Sequence, residues 1–160
     1  MPCFLFTFHA YGSWLPHRPE GFVHWKHGLQ PADEGLADAY RKQMKLDEAE
    51  FSERLQRLLV DELKVAAEHQ RFRLHAVTTE ATHVHVLLSW PDERPPSRLA
   101  EGVKKSLSLR LAKDAAKRKW LTKGTSQRRV KDQQHFDYLL DTYLPSHGGW
   151  KWDERRGVYK

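Results

Sequence analysis

A single cysteine, Cys3, excludes an intrachain disulfide framework and fits a reducing compartment. Long apolar runs are missing as well. The longest near the N-terminus, Phe4 to Phe8, is interrupted by Thr7 and closed by His9, and no basic segment precedes it. That pattern excludes a signal peptide and a membrane span there, so we expect no membrane partner and a cytoplasmic protein. Internal repeats and low-complexity segments are absent. Acidic excess is absent too: 27 Lys and Arg face 21 Asp and Glu, for a net charge of +6. The 160 residues suffice for one core, and residues 1–160 are expected to form a single domain.

The positive charge is concentrated. Between Lys104 and Lys131 stand Lys104, Lys105, Arg110, Lys113, Lys117, Arg118, Lys119, Lys123, Arg128 and Arg129, opposed by Asp114 alone. Such a block is either the footprint of a polyanion partner or a solvated helix face. Tryptophans beside cations (Trp25-Lys26, Lys119-Trp120, Trp150-Lys151-Trp152) favour nucleic acid, because rings stack on unpaired bases while cations hold phosphates. Lys104, Lys105, Arg110, Arg128 and Arg129 are the candidate phosphate contacts, which implies a nucleoid-associated location.

Periodicity places the elements. Phe4, Phe6 and Phe8 alternate with Leu5, Thr7 and His9 in a first strand. Gly12 to about Gly35 is punctuated by Pro16, Pro19, Gly21, Gly28 and Pro31 and reads as loop. Phe51, Leu55, Leu58, Leu59 and Leu63 make the stripe of a helix over 47–69. A strand over 72–79, with Phe72, Leu74 and Ala76 on one face, closes as a hairpin with the next strand, 82–90. Pro96 opens a helix to about Lys117, with core positions Leu99, Val103, Leu107 and Leu111. A short basic strand within 124–131 follows, and Asp132 caps a last helix, 133–144. This order predicts an α+β fold, a ferredoxin-like antiparallel sheet with helices on one face.

The strand 82–90 carries the strongest chemical signal. Its residues read Thr-His-Val-His-Val-Leu-Leu-Ser-Trp. Side chains two apart share a face, so His83 and His85 aim at one patch while Val84, Val86 and Leu88 face the core. Two neutral imidazoles side by side chelate a divalent cation; the plainer reading is two surface or hydrogen-bonded core histidines. On the last helix, Tyr143 sits on the apolar face with Phe136, Leu139, Leu140 and Leu144, and His147 follows at i+4. A phenol attacks phosphorus when a metal polarises the phosphate. Tyr138 is a second tyrosine, offset from Tyr143 by about 140° on an α-helix.

These pieces resemble the single-tyrosine HUH transposases, of the insertion-sequence-200 type and the REP-associated tyrosine transposases. FLFTFHAYGSWLP resembles the first strand and its turn. RLHAVTTEATHVHVLLSWP resembles the hairpin with the His-hydrophobic-His motif, and WLTKGTSQRRVKDQQHFDYLLDTYLPSHGG the last strand and tyrosine helix. The resemblance implies a metal-dependent transposase or endonuclease that cleaves and rejoins single-stranded DNA near hairpins through a 5′-phosphotyrosine. It implies Mg²⁺ or Mn²⁺ on His83, His85 and His147, Tyr143 as nucleophile, and a homodimer in some members. In that comparison Gly148-Gly149 reads as a hinge or as a plain helix stop.

Thr82 stands where these relatives often have Asp or Asn, and Pro145 lies between Tyr143 and His147. Both motivate an alternative, a domesticated hairpin DNA-binding protein that does not cleave. A zinc hydrolase using the His-x-His pair is a third reading, disfavoured by chain length and helix content.

Overall fold

The computed structural model describes residues 1–13, 22–24, 28–30 and 48–160, with 22–24 and 28–30 described by backbone alone. Its elements are β1 (Cys3–His9), β2 (Phe22–His24), β3 (Gly28–Gln30), α1 (Glu53–Gln70), β4 (Arg73–Thr79), β5 (His83–Ser89), α2 (Pro96–Asp114), β6 (Ser126–Arg129), α3 (Gln133–Tyr138), β7 (Lys151–Asp153) and β8 (Gly157–Tyr159). Six strands form one antiparallel sheet in the order β6-β1-β5-β4-β7-β8. The first four of that order are the ferredoxin-like arrangement the sequence predicts, with β7–β8 as an added hairpin.

Alternation along β1 and β5 divides the sheet into two faces. Phe4, Phe6, Phe8, Val84, Val86 and Leu88 enter the main core beneath α1 and α2. α1 begins later than its apolar stripe suggests, because Ser52 caps it, its hydroxyl accepting from the Leu55 N–H at 3.3 Å. Phe51 is then free of the helix, and its N–H donates to the Ala81 carbonyl at 2.8 Å. α2 starts at Pro96 without a side-chain cap, since the ring presets the first helical φ. It stops at Asp114, short of Lys117.

The opposite face is covered in part by the last helical segment. Leu5, Ala76, Leu87, Leu139 and Leu144 form a smaller apolar cluster there, joined by Phe136, Leu140 and Tyr143. α3 is α-helical only to Tyr138. Leu139–Tyr143 is a π-helical turn, closed by the Leu144 N–H donating to the Leu139 carbonyl, and Leu144–Ser146 is a 3-10 turn.

Three expectations need correction. Ala76 does not share a face with Phe72 and Leu74. The β4–β5 register shifts between Leu74 and Ala76, so Val77 takes the core position and Ala76 turns to the other side. The stretch expected as loop opens with a turn at Gly12-Ser13 and holds the β2–β3 hairpin; the rest of it, with Trp14, Trp25 and His27, lies outside the described residues. The β7–β8 hairpin was not expected at all. Its turn is set by Asp153 Oδ1, which accepts from the N–H groups of Arg155 and Arg156 at 2.9 and 2.7 Å, and by Gly157 at φ +72°.

Candidate active site

The centre of the sheet builds half of the site. β1 and β5 pair with Thr7 opposite His85 and His9 opposite His83. Their partners on the other face are core residues, so these four side chains project together under the last helical segment. The rings of His83 and His85 lie 4.7 Å apart, centre to centre.

The last segment brings the other half. Pro145 sits in the first turn of the 3-10 helix, where its missing N–H costs nothing, and the tighter turn carries the chain on to His147. The His147 ring lies 4.7 Å from His85 and 5.8 Å from His83. Donor nitrogens of His83, His85 and His147 all fall within 4.8 Å of one another. Tyr143 stands beside them, its ring 5.6 Å from His85 and 5.0 Å from His147.

Each imidazole is held from behind. His147 Nδ1 lies 3.1 and 3.2 Å from the carbonyl oxygens of Tyr143 and Leu144, which only accept. Nδ1 therefore donates, so the nitrogen available to a metal ion is Nε2. His85 Nδ1 is hydrogen-bonded to Thr7 Oγ1 at 2.8 Å and His83 Nδ1 to Thr82 Oγ1 at 3.0 Å. Outer hydroxyls of this kind orient metal-ligating histidines. Thr82, a departure from the resembled pattern, thus supports the first histidine. The Glu80 carboxylate lies 4.0 Å from His83 Nε2 and also accepts the Gly148 N–H at 3.3 Å.

The electrostatics favour neutral rings at His85 and His9. Burial lowers His85 to about 3, with His83, His147, His9 and Arg128 adding to the effect. Burial, then the neighbouring His83, lowers His9 to about 4. Neutral imidazole is the form that binds a metal ion. Burial raises the Tyr143 phenol above its ordinary value; Arg128 opposes this, while Tyr138 and Glu80 reinforce it. An open cleft of about 720 Å³ reaches Tyr143 and His85, lined among others by Thr7, His9, Lys123 and Arg128.

The loop after His147 is tied to the sheet. Buried Lys151 donates from Nζ to the carbonyls of His147 (2.7 Å) and Gly149 (2.9 Å). Thr78 Oγ1 donates to the Leu144 carbonyl at 3.1 Å, and buried Gln56 accepts the Trp150 N–H at 3.2 Å. The chain then enters β7, which pairs with β4.

The candidate phosphate contacts disperse. Arg128 pairs opposite Leu5 and so shares the site face, whereas Arg129, opposite Phe4, lies on the face of α1 and α2. Lys104 donates to the carbonyls of Thr122 and Gly124 at the border of the cleft. Lys105 is exposed on α2, and Arg110 joins the two long helices by its ion pair with Glu62 (3.1 Å) while also pairing with Asp114 on its own helix. Trp120 is buried, Trp152 packs against the core and Trp150 is flanked by the cations of Arg57 and Lys160. Sequence reading missed Thr7, His9, Glu80 and Lys151. Only β1–β5 pairing could have exposed the first two, and only the fold of 147–153 the last.

No family model and no curated protein matches this sequence. Among solved structures the chain is similar to a REP-associated tyrosine transposase bound to a REP hairpin, with a TM-score of 0.50 and 10% identity. The match covers 89% of this chain and 64% of that one, so the chain spans under two thirds of that protein's length. At this identity the likeness establishes a shared fold.

Proposed function

We propose that the protein is a metal-dependent enzyme that nicks and rejoins single-stranded DNA, with Tyr143 as nucleophile. One observation carries the reading: a phenol set against three imidazoles whose donor nitrogens lie within 4.8 Å of each other. The hairpin DNA held by the structural neighbour supports DNA as the polyanion, as does the net charge of +6.

The donor set fits a divalent ion: three imidazoles, two backed by hydroxyls and one by carbonyls. His83, His85 and His147 would hold it, and it would supply positive charge against the non-bridging oxygens of the scissile phosphate. Of Mg²⁺ and Mn²⁺, an all-imidazole set favours Mn²⁺, because Mg²⁺ prefers oxygen ligands. Tyr143 loses its proton and its oxygen bonds to phosphorus as the bond from phosphorus to the 3′-oxygen breaks. The departing oxygen takes up a proton. A 5′-phosphotyrosine and a free 3′-hydroxyl remain, and a 3′-hydroxyl attacking the phosphotyrosine reverses the step. Arg128, facing the cleft, offsets the charge of the phenolate and the phosphate. The non-cleaving alternative drew on Thr82 and Pro145, and here both residues support the histidine cluster.

The test is covalent capture. Protein is mixed with labelled hairpin oligonucleotides carrying single-stranded flanks, with Mn²⁺ or chelator, and run on a denaturing gel. The expected result is a Mn²⁺-dependent protein–DNA band that Tyr143→Phe abolishes while retaining DNA binding. Binding without any band in the wild type would favour the non-cleaving alternative or a target outside the set, and a band persisting in Tyr143→Phe would move the nucleophile.

A further inference from the structure

An α-helix would leave Tyr138 about 140° away from Tyr143. The π-helical turn over Leu139–Tyr143 adds a residue to the turn, so side chains five apart come round to one face. The two tyrosine rings consequently lie 6.4 Å apart and are inclined by only 30°. Tyr143 is half-buried against the histidines, whereas Tyr138 is 53% exposed. Every other aromatic side chain among the described residues is buried or intermediate. The segment therefore presents one open ring, and it stands next to the proposed nucleophile.

We propose that Tyr138 is a stacking platform for an unpaired base beside the bond that Tyr143 attacks, positioning the single strand for cleavage. The proposal rests on the reading of Tyr143 given above. A strand whose phosphate lies at Tyr143 and Arg128 must pass its adjoining base over the neighbouring surface, and an aromatic face accepts any base. The nearby carboxylates share a cation: Asp141 pairs with Arg155, and the charge of Asp137 also acts on Arg155. They do not leave a bare acidic patch against the phosphates. Tyr138 meets the site through the Tyr143 ring, whereas Tyr143 itself packs against His85 and His147.

The experiment uses the full chain with two labelled probes, a mixed-sequence single-stranded oligonucleotide containing 2-aminopurine and a fully paired hairpin. Wild type, Tyr138→Ala and Tyr138→Phe are compared. The expected result is that Tyr138→Ala loses roughly fivefold to a hundredfold in single-strand affinity while Tyr138→Phe keeps it. Binding should quench 2-aminopurine in wild type and Tyr138→Phe but not in Tyr138→Ala, and affinity for the paired hairpin should be the same in all three. Unchanged single-strand affinity in Tyr138→Ala overturns the proposal. So does an equal loss in Tyr138→Phe, which would make the hydroxyl the working group, as in a second nucleophile. Failure of the wild type to bind the single strand overturns the reading of the whole site, whereas wild-type cleavage that Tyr138→Ala leaves unchanged overturns only the stacking role.

Discussion

Lys151 donates from its buried ammonium to the backbone carbonyl of His147 at 2.7 Å, fixing the position of the third imidazole from outside the histidine cluster. The same nitrogen holds Gly149 at 2.9 Å and lies over the Tyr159 ring at 5.3 Å. Removing it leaves two inward carbonyls unsatisfied, a cost of about 1–3 kcal/mol each. Lys151→Met is expected to weaken Mn²⁺ binding by roughly tenfold to a hundredfold, the range for loss of an outer partner. Titration calorimetry of the folded variant checks this; undiminished affinity would show that His147 needs no such anchor.

Thr7 and Thr82 hold the other two rings. Valine matches threonine in shape and removes the oxygen that meets each Nδ1. Thr7→Val is expected to be the more harmful, since His85 is 6% exposed and water cannot replace the hydroxyl there. Both variants should lose Mn²⁺ affinity by roughly tenfold or more, with their chelator-treated forms folding normally. Equal affinity in Thr7→Val would mean that packing alone orients His85.

Much of this was legible in the sequence because the relevant signals are local. His83 and His85 share a face by strand geometry, and the stripe of Leu55, Leu59 and Leu63 is helical by spacing. What was not legible depends on how segments meet. The bulge that moves Ala76 to the site face is marked in the run RLHAVTT only by the adjacent apolar pair Ala76-Val77, too little to fix a register. The π-helical turn likewise leaves no mark in LLDTY, so Tyr138 was placed on the wrong side of Tyr143. Strands of three residues, as in β7 and β8, are too short to show a period. The basic block had a charge signature but no direction: Arg110 serves the helix pair, and Arg128 and Arg129, adjacent in sequence, face opposite sides.

Acid should destabilise the metal-free protein through its histidines. His85 and His9 are lowered to about 3 and about 4, and His75 is lowered by burial, the Glu154 charge opposing. Below the ordinary imidazole value of 6.5 the unfolded chain takes up protons that the folded chain refuses. Stability is therefore full above that value and falls as pH drops through the window down to about 3, by at most about 1.4 kcal/mol per histidine per pH unit. Urea unfolding in chelator should show a lower midpoint at pH 5 than at pH 7. The His85→Asn protein should lose less over the same interval; an identical loss would place the linkage in other groups.

Gly148 and Gly149 are adjacent glycines with opposite expectations. A Cβ on Gly148 meets nothing within 4 Å, whereas one on Gly149 collides with the Thr79 carbonyl and the Gln56 side-chain oxygen. Thr79 ends β4, and its N–H donates to the Trp150 carbonyl at 3.0 Å, so the backbone cannot yield without opening the edge where β7 joins. Gly149→Ala is expected to cost about 1–3 kcal/mol, as for overpacking in a core, and to draw His147 away from the other imidazoles. Gly148→Ala should stay within about 0.5 kcal/mol of wild type. Denaturant midpoints and Mn²⁺ affinity measured on both variants decide the matter. If both glycines tolerate alanine, the segment has room to move and acts as a hinge; if only Gly148 does, Gly149 is there because the chain must pass against β4 with no side chain between them.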